Sequence, residues 1–172
     1  SGGDDLILIK YNSSGTRQWT QQYGSSGSDY ARGVSLDSSG NIYVVGDTSG
    51  GLGSNSNSGS EDLFLIKYDS SGNLQWTKQL GTFTNDVAFD VATDSSGNSY
   101  VTGYTGASLD GNTHSGELDL FLVKYDSSGN KSWTKQLGTS TSDYARGVSV
   151  DADGNVSFTG YTTAALDGQT HY

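Results

Sequence analysis

Cysteine and methionine are both absent from the 172 residues. Without cysteine there is no disulfide, no thiolate nucleophile and no thiolate metal site, and the redox state of the compartment leaves no mark. Without methionine, Ser1 is not a translation start, which points to a processed N-terminus or to an excised or engineered stretch. Basic residues are scarce, nine Lys and Arg against 19 Asp and Glu, for a formal charge of −10. A polyanion is repelled by such a chain, which argues against nucleic acid as a partner. No apolar run approaches the ~18 residues of a membrane helix, and no Lys/Arg cluster offers an anchor on an anionic bilayer, so membrane insertion is not expected. Hydrophobic residues make up only 32% of the chain, and 25 residues are glycine. Aromatics nevertheless reach 11%, and the apolar residues are bunched into short runs between Gly, Ser, Asn and Asp. That pattern fits short buried strands joined by turns rather than disorder. Richness in Ser, Thr, Asn and Gly together with acidity fits a secreted or cell-surface bacterial protein. The tripeptides at Asn12 and Asn130 match a glycosylation acceptor, but in so Asn/Ser-rich a chain they are read as chance.

What the chain does contain is a repeat. The stretch Tyr30 to Gly46, YARGVSLDSSGNIYVVG, recurs as Val87 to Gly103 and as Tyr144 to Gly160, each copy 57 residues after the last. Trp19, Trp76 and Trp133 keep that step, as do Lys10, Lys67 and Lys124. The repeats run 1–57, 58–114 and 115–171, so the chain is expected to form one unit without a second domain. A strict period of this size marks a repeat architecture more firmly than any local propensity.

Within each repeat the elements can be read in order. Asp5 to Tyr11 (DLILIKY), Asp62 to Tyr68 and Asp119 to Tyr125 carry four apolar residues in a row, so no polar face is left and both faces need cover. Each run ends in a five-residue turn such as Asp69-Ser70-Ser71-Gly72-Asn73. There the Asx side chain bonds the backbone ahead, and the glycine supplies a positive φ for a type I turn closed by a bulge. The returning strands around Trp19, Trp76 and Trp133 are more polar and read as edge strands. A loop then leads to a strand of small residues (Ala31, Gly33, Ser35), suited to the crowded inner position of a radial array. A second tight turn and an apolar strand follow, and a long connection closes the repeat.

Four antiparallel strands per period, with two tight hairpins and two longer loops, describe a propeller blade. The sequence resembles the bacterial SBBP β-propeller repeats in DLFLIKYDSSGN-LQWTKQLG followed by YARGVSLDSSGNIYVVG, over the whole chain. The resemblance implies an all-β propeller and brings no catalytic motif with it. The chain opens mid-blade, with two outer strands (Asp5 to Tyr11, Arg17 to Tyr23), then two whole blades, then two inner strands (Tyr144 to Asp151, Asn155 to Thr162). The ends are complementary halves of a blade. Three blades fall below the usual closed ring of four to eight, so a homodimer closing a six-bladed ring is expected, with the long loops on one face and the tight turns on the other.

Candidate binding residues fall into three groups. Asp29, Asp86 and Asp143 precede the small-residue strands and are expected to rim the central channel, where a ring of carboxylates would suit Ca2+ or another hard cation; the competing reading is that each ties down its own loop. Asp110 and His114, with Asp167 and His171, lie on the long connections, and a metal or polar ligand there competes with a merely solvated loop. Arg32 and Arg146 stand where the middle repeat has Phe89, with Asp90 replacing glycine, a break in symmetry near the channel mouth. The recurring tryptophans are read as packing between blades rather than sugar platforms, and Asp151-Ala152-Asp153-Gly154-Asn155 as a turn rather than a calcium loop, since the distal Glu is missing. Nearly every polar residue is copied from blade to blade, whereas catalysis needs different groups converging on one point. The leading expectation is a non-enzymatic binding or scaffold module with a glycan or protein ligand and no obligatory cofactor. The alternatives are a carbohydrate-active enzyme or lectin-like binder on the long-loop face, and an excised or engineered fragment without activity of its own.

Overall fold

The computed structural model describes residues 2–166 and 168–170. Twelve strands alternate along the chain: β1 (Leu6–Tyr11), β2 (Arg17–Tyr23), β3 (Asp29–Leu36), β4 (Ile42–Thr48), β5 (Asp62–Tyr68), β6 (Leu74–Leu80), β7 (Asp86–Thr93), β8 (Ser99–Thr105), β9 (Asp119–Tyr125), β10 (Lys131–Leu137), β11 (Asp143–Val150) and β12 (Val156–Thr162). Among the described residues the helical content is one 3₁₀ turn, Leu109–Gly111.

Among the described residues every strand pairing is antiparallel between neighbours in sequence, and two isolated parallel bridges, Glu61↔Asn85 and Leu118↔Ser142, link segments outside the strands. Two sheets are complete, β3-β4-β5-β6 and β7-β8-β9-β10; β1-β2 and β11-β12 are two-stranded. The chain thus holds two full blades flanked by an outer half and an inner half. Strands following the second tight turn end on threonines, Thr48, Thr105 and Thr162. Their last threonines pair with the first aspartates of neighbouring strands, as in Thr48↔Asp62 and Thr105↔Asp119.

The turns form as their chemistry dictates. In Asp37–Asn41 one carboxylate oxygen of Asp37 accepts from the Ser39 and Asn41 amides, both at 2.9 Å. Gly40 takes φ +78°, a region costly for any residue with a Cβ. The innermost strands crowd together, as the small residues predict: a Cβ on Gly33 would sit 2.7 Å from the Phe89 carbonyl oxygen. Each inner strand carries one bulge, opening the register around Arg32, Phe89 and Arg146.

Two apolar clusters fill the spaces between sheets. One gathers Tyr43, Val45, Leu63 and Leu65 of the first full blade with Val91, Val101, Phe121 and Val123 of the second. The other joins Ile42, Val44, Phe64 and Ile66 to Leu6 of the outer half-blade. The tryptophans seal the outer seams: a Cβ on Gly72 would touch the Trp19 ring at 3.0 Å, and Trp76 lies edge-on to Tyr43 at 6.0 Å. On the tight-turn face, Lys10 Nζ donates to the Ser70 carbonyl at 2.6 Å and Lys67 Nζ to that of Ser127 at 3.1 Å. Each lysine thus clips its blade to the turn of the next.

Candidate ligand-binding site at the channel mouth

Asp29, Asp86 and Asp143 do not rim the channel. They are buried, with relative exposures of 1%, 0% and 0%. Each accepts hydrogen bonds from its own loop. Asp86 accepts from the Thr82 amide at 2.6 Å and the Thr82 hydroxyl at 2.8 Å, and its other oxygen accepts from the Thr105 hydroxyl. Asp29 accepts from the amide and hydroxyl of Ser25 and from Thr48, and Asp143 from the amide and hydroxyl of Thr139. Buried and turned inward to loop donors, the three carboxylates do not converge on a shared ion, and Asp143 Oδ1 is buried without a partner. Burial raises the Asp86 pKa above the usual carboxylate value, against the hydrogen bonds from Thr105 and Thr82, and Asp62 adds repulsion. Among the described residues no three His, Asp or Glu converge as a metal-binding group.

The long-loop candidates are not brought together either. Asp110, in left-handed backbone at φ 56°, pairs with Lys131 and accepts from the Thr134 hydroxyl at 2.8 Å. His114 instead faces Asp119, with Nδ1 3.4 Å from a carboxylate oxygen, and Gln136. Asp167 and His171 lie outside the described residues.

Arg32 and Arg146 do converge, and Phe89 joins them. All three are bulge residues on β3, β7 and β11, where the register with the next strand shifts. The Arg146 guanidinium lies 3.8 Å from the centre of the Phe89 ring and that of Arg32 5.6 Å from it, within the range of a cation–π contact. Tyr104, Tyr144 and Tyr161 extend the aromatic wall. Tyr104 meets Tyr144 edge-on at 5.2 Å, and Tyr144 stacks on Tyr161 at 4.7 Å. Arg32 is neutralised by buried Asp47; its hydrogen bond to that carboxylate raises its pKa, against the effect of burial. Burial and the nearby Asp47 charge raise the Glu61 pKa. Arg146 has Tyr161 at the position of Asp47 and donates to its hydroxyl at 3.1 Å.

Sequence reasoning passed over Asp47 and a second set of carboxylates at the head of the apolar strands, buried Asp62 and Asp119 and half-buried Asp5. The signal for the latter is a glutamine at the same offset in every repeat. Gln22, Gln79 and Gln136 donate to Asp5, Asp62 and Asp119 at 2.8, 3.0 and 2.9 Å.

Four-stranded antiparallel blades, radially packed with small-residue strands innermost, define a β-propeller architecture. The chain belongs to the SBBP β-propeller repeat family, which matches residues 18–53, 75–110 and 132–166. It is also similar to an uncharacterised WD repeat-containing protein, L264, of Acanthamoeba polyphaga mimivirus, at 26% identity over 83% of this chain and 13% of that protein. The regulatory protein FlaEY of Caulobacter vibrioides is 26% identical over 75% of this chain and 15% of its own length. The chain therefore spans about a seventh of the length of these curated relatives.

Proposed function

We propose that the chain is a non-enzymatic β-propeller binding scaffold, and that its two half-blades pair with those of a second copy to close one six-bladed ring about a two-fold axis. One observation carries this reading: the half-blade strands are exposed where their repeat equivalents are buried. Ile7 is 59% exposed against 0% for Phe64, and Phe158 is 40% exposed against 2% for Val44. In the full blades β4 and β5 cover each other in the register Ile42↔Tyr68 to Thr48↔Asp62, and β8 and β9 repeat it as Ser99↔Tyr125 to Thr105↔Asp119. The same register sets Val156 of β12 against Tyr11 of a second copy and Thr162 against Asp5. Open apolar edges of this kind are aggregation-prone unless paired, and a two-fold pairs both at once.

The lysine clips support the same closure. The clip rule, applied to Lys124, places its ammonium on the Ser13 carbonyl of the second copy. Light scattering is expected to give twice the 18.1 kDa chain mass. A folded single-chain species overturns the ring, and so does a trimer.

Binding rather than catalysis is favoured because the buried carboxylates serve their own loops. Product analysis on polysaccharides is expected to show no turnover; turnover lost on Asp86→Asn in folded protein would reverse that assignment.

A further inference from the structure

The seam between the two full blades is lined by positive charge. A cavity of about 320 Å³ lies between β6 of the first full blade and the β9–β10 turn of the second, lined by Lys78, Leu80, Tyr125, Gly129, Asn130 and Lys131 among others. Those strands belong to complete sheets, so the cavity stands with or without a second copy. Gly129 makes room for Lys78: a Cβ there would sit 2.7 Å from Lys78 Cε. Among the described residues Lys78 has no carboxylate within ion-pair distance. Lys131 is paired with one oxygen of Asp110, and the other oxygen accepts from the Thr134 hydroxyl at 2.8 Å, so both Asp110 oxygens are committed. Tyr125 is only 3% exposed and lines the same cavity. Burial and the Asp110 charge raise its pKa, so its hydroxyl stays a protonated donor.

The 57-residue step shows what sets this seam apart. At the first seam the same positions are Gln21, Tyr68, Asn73 and Leu74. There Gln21 Nε2 donates to the Gly72 carbonyl at 2.9 Å, which ties the seam with neutral groups. At the second seam Lys78 and Lys131 replace Gln21 and Leu74, and two ammoniums line one cavity in a chain of formal charge −10. Exposed charges more than ~8 Å away are largely screened at physiological salt, so remote acids do not cancel them. An ammonium is a compact point charge without the planar fork that matches a carboxylate. A pair of them therefore suits a compact, doubly charged group. We propose that this cavity binds a tetrahedral dianion, a phosphate or sulfate group. Lys78 and Lys131 supply the charge, and the Tyr125 hydroxyl donates from the buried wall. The site is independent of the ring closure.

The test is a titration followed by the amide resonances of Leu80, Gly129 and Asn130, with inorganic phosphate, inorganic sulfate, glucose 6-phosphate and acetate as probes. Phosphate and sulfate are expected to shift these amides saturably, and acetate at equal concentration is not. Tighter binding of glucose 6-phosphate than of phosphate assigns the group of an ester, and weaker binding assigns the free ion. Lys78→Gln, which installs the residue type of the first seam, is expected to weaken binding about ten-fold or more with the unfolding midpoint unchanged. Tyr125→Phe is expected to weaken it about three- to ten-fold. Lys135→Gln, the same position one repeat on and outside the cavity, is expected to leave it intact. Absence of a saturable shift overturns the site, as does a Lys78→Gln variant that binds normally. Acetate binding as well as sulfate overturns the dianion assignment. Equal losses in Lys78→Gln and Lys135→Gln reduce the effect to general charge and overturn the site too. Chain mass is measured separately: a single-chain mass with binding intact removes the ring alone, and twice the chain mass without binding removes this site alone.

Discussion

At the scale of single residues, the turns and the buried carboxylates set opposite pH dependences. Bonds from Asn73 and Asn130 hold Asp69 and Asp126 below the usual carboxylate pKa. Stability from these turns is present above the unfolded value of about 3.9 and is lost as pH falls through the lower folded pKa. Asp86 is the reverse case. Burial raises its folded pKa, so its contribution is full below about pH 3.9 and is lost as pH rises through the folded value. Glu61 acts in the same direction. The expected outcome is that the thermal midpoint of the wild type rises as pH is lowered from neutral toward about 4, and that the rise is smaller in Asp86→Asn; parallel curves would show that Asp86 carries no such linkage. A second residue-scale expectation concerns Tyr43, whose hydroxyl reaches across the blade seam to the Gly97 carbonyl at 3.1 Å. Tyr43→Phe is expected to cost about 1 kcal/mol in denaturant unfolding. Gly97→Ala is expected to cost about 1–2 kcal/mol through its positive φ alone.

At the scale of strands, the bulges do most to shape the channel mouth. Opposite each bulge stands a glycine, Gly46, Gly103 or Gly160, whose added Cβ would run into the carbonyl oxygen of Tyr30, Val87 or Tyr144. Backbone cannot yield as a side-chain tip can, so Gly103→Ala is expected to destabilise by on the order of 3 kcal/mol, more than Gly15→Ala, where a Cβ meets open space and only the positive φ costs about 1–2 kcal/mol. Equal unfolding midpoints for the two variants would contradict this. The blades themselves were legible because their determinants are local: an Asx–Gly turn, an apolar run and a small-residue strand recur at a fixed step. Of the two readings open for Asp29, Asp86 and Asp143, the structure shows the loop-closing one, and a hydroxyl residue stands four positions before each, at Ser25, Thr82 and Thr139. That spacing is the signal of a carboxylate closing its own loop. The Arg32–Phe89–Arg146 stack was visible only as a break in symmetry, because its geometry depends on three separate strands meeting at the axis.

At the scale of the whole molecule, the unfinished sheets set the most demanding expectation. If β12 pairs with β1 of a second copy in the register of β4 with β5, Phe158 lies opposite Ile9, as Val44 lies opposite Ile66. Directly opposed residues in an antiparallel pair have Cα atoms about 4.5–5.5 Å apart, inside the range a disulfide spans. The chain has no cysteine of its own, so Phe158→Cys with Ile9→Cys introduces the two thiols of interest and no others. Mild oxidation is expected to give a covalent dimer carrying two crosslinks, resolved on a reducing against a non-reducing gel. The pair Phe158→Cys with Leu8→Cys tests register, since neighbouring residues on a strand face opposite sides of the sheet. Crosslinking is expected to fail there. A crosslink confined to one chain would mean that the ends meet within a single copy, and equal crosslinking of both pairs would mean that the edges associate without register. Either result removes the two-fold ring, because only a fixed register carries the Lys124 to Ser13 clip across the same seam.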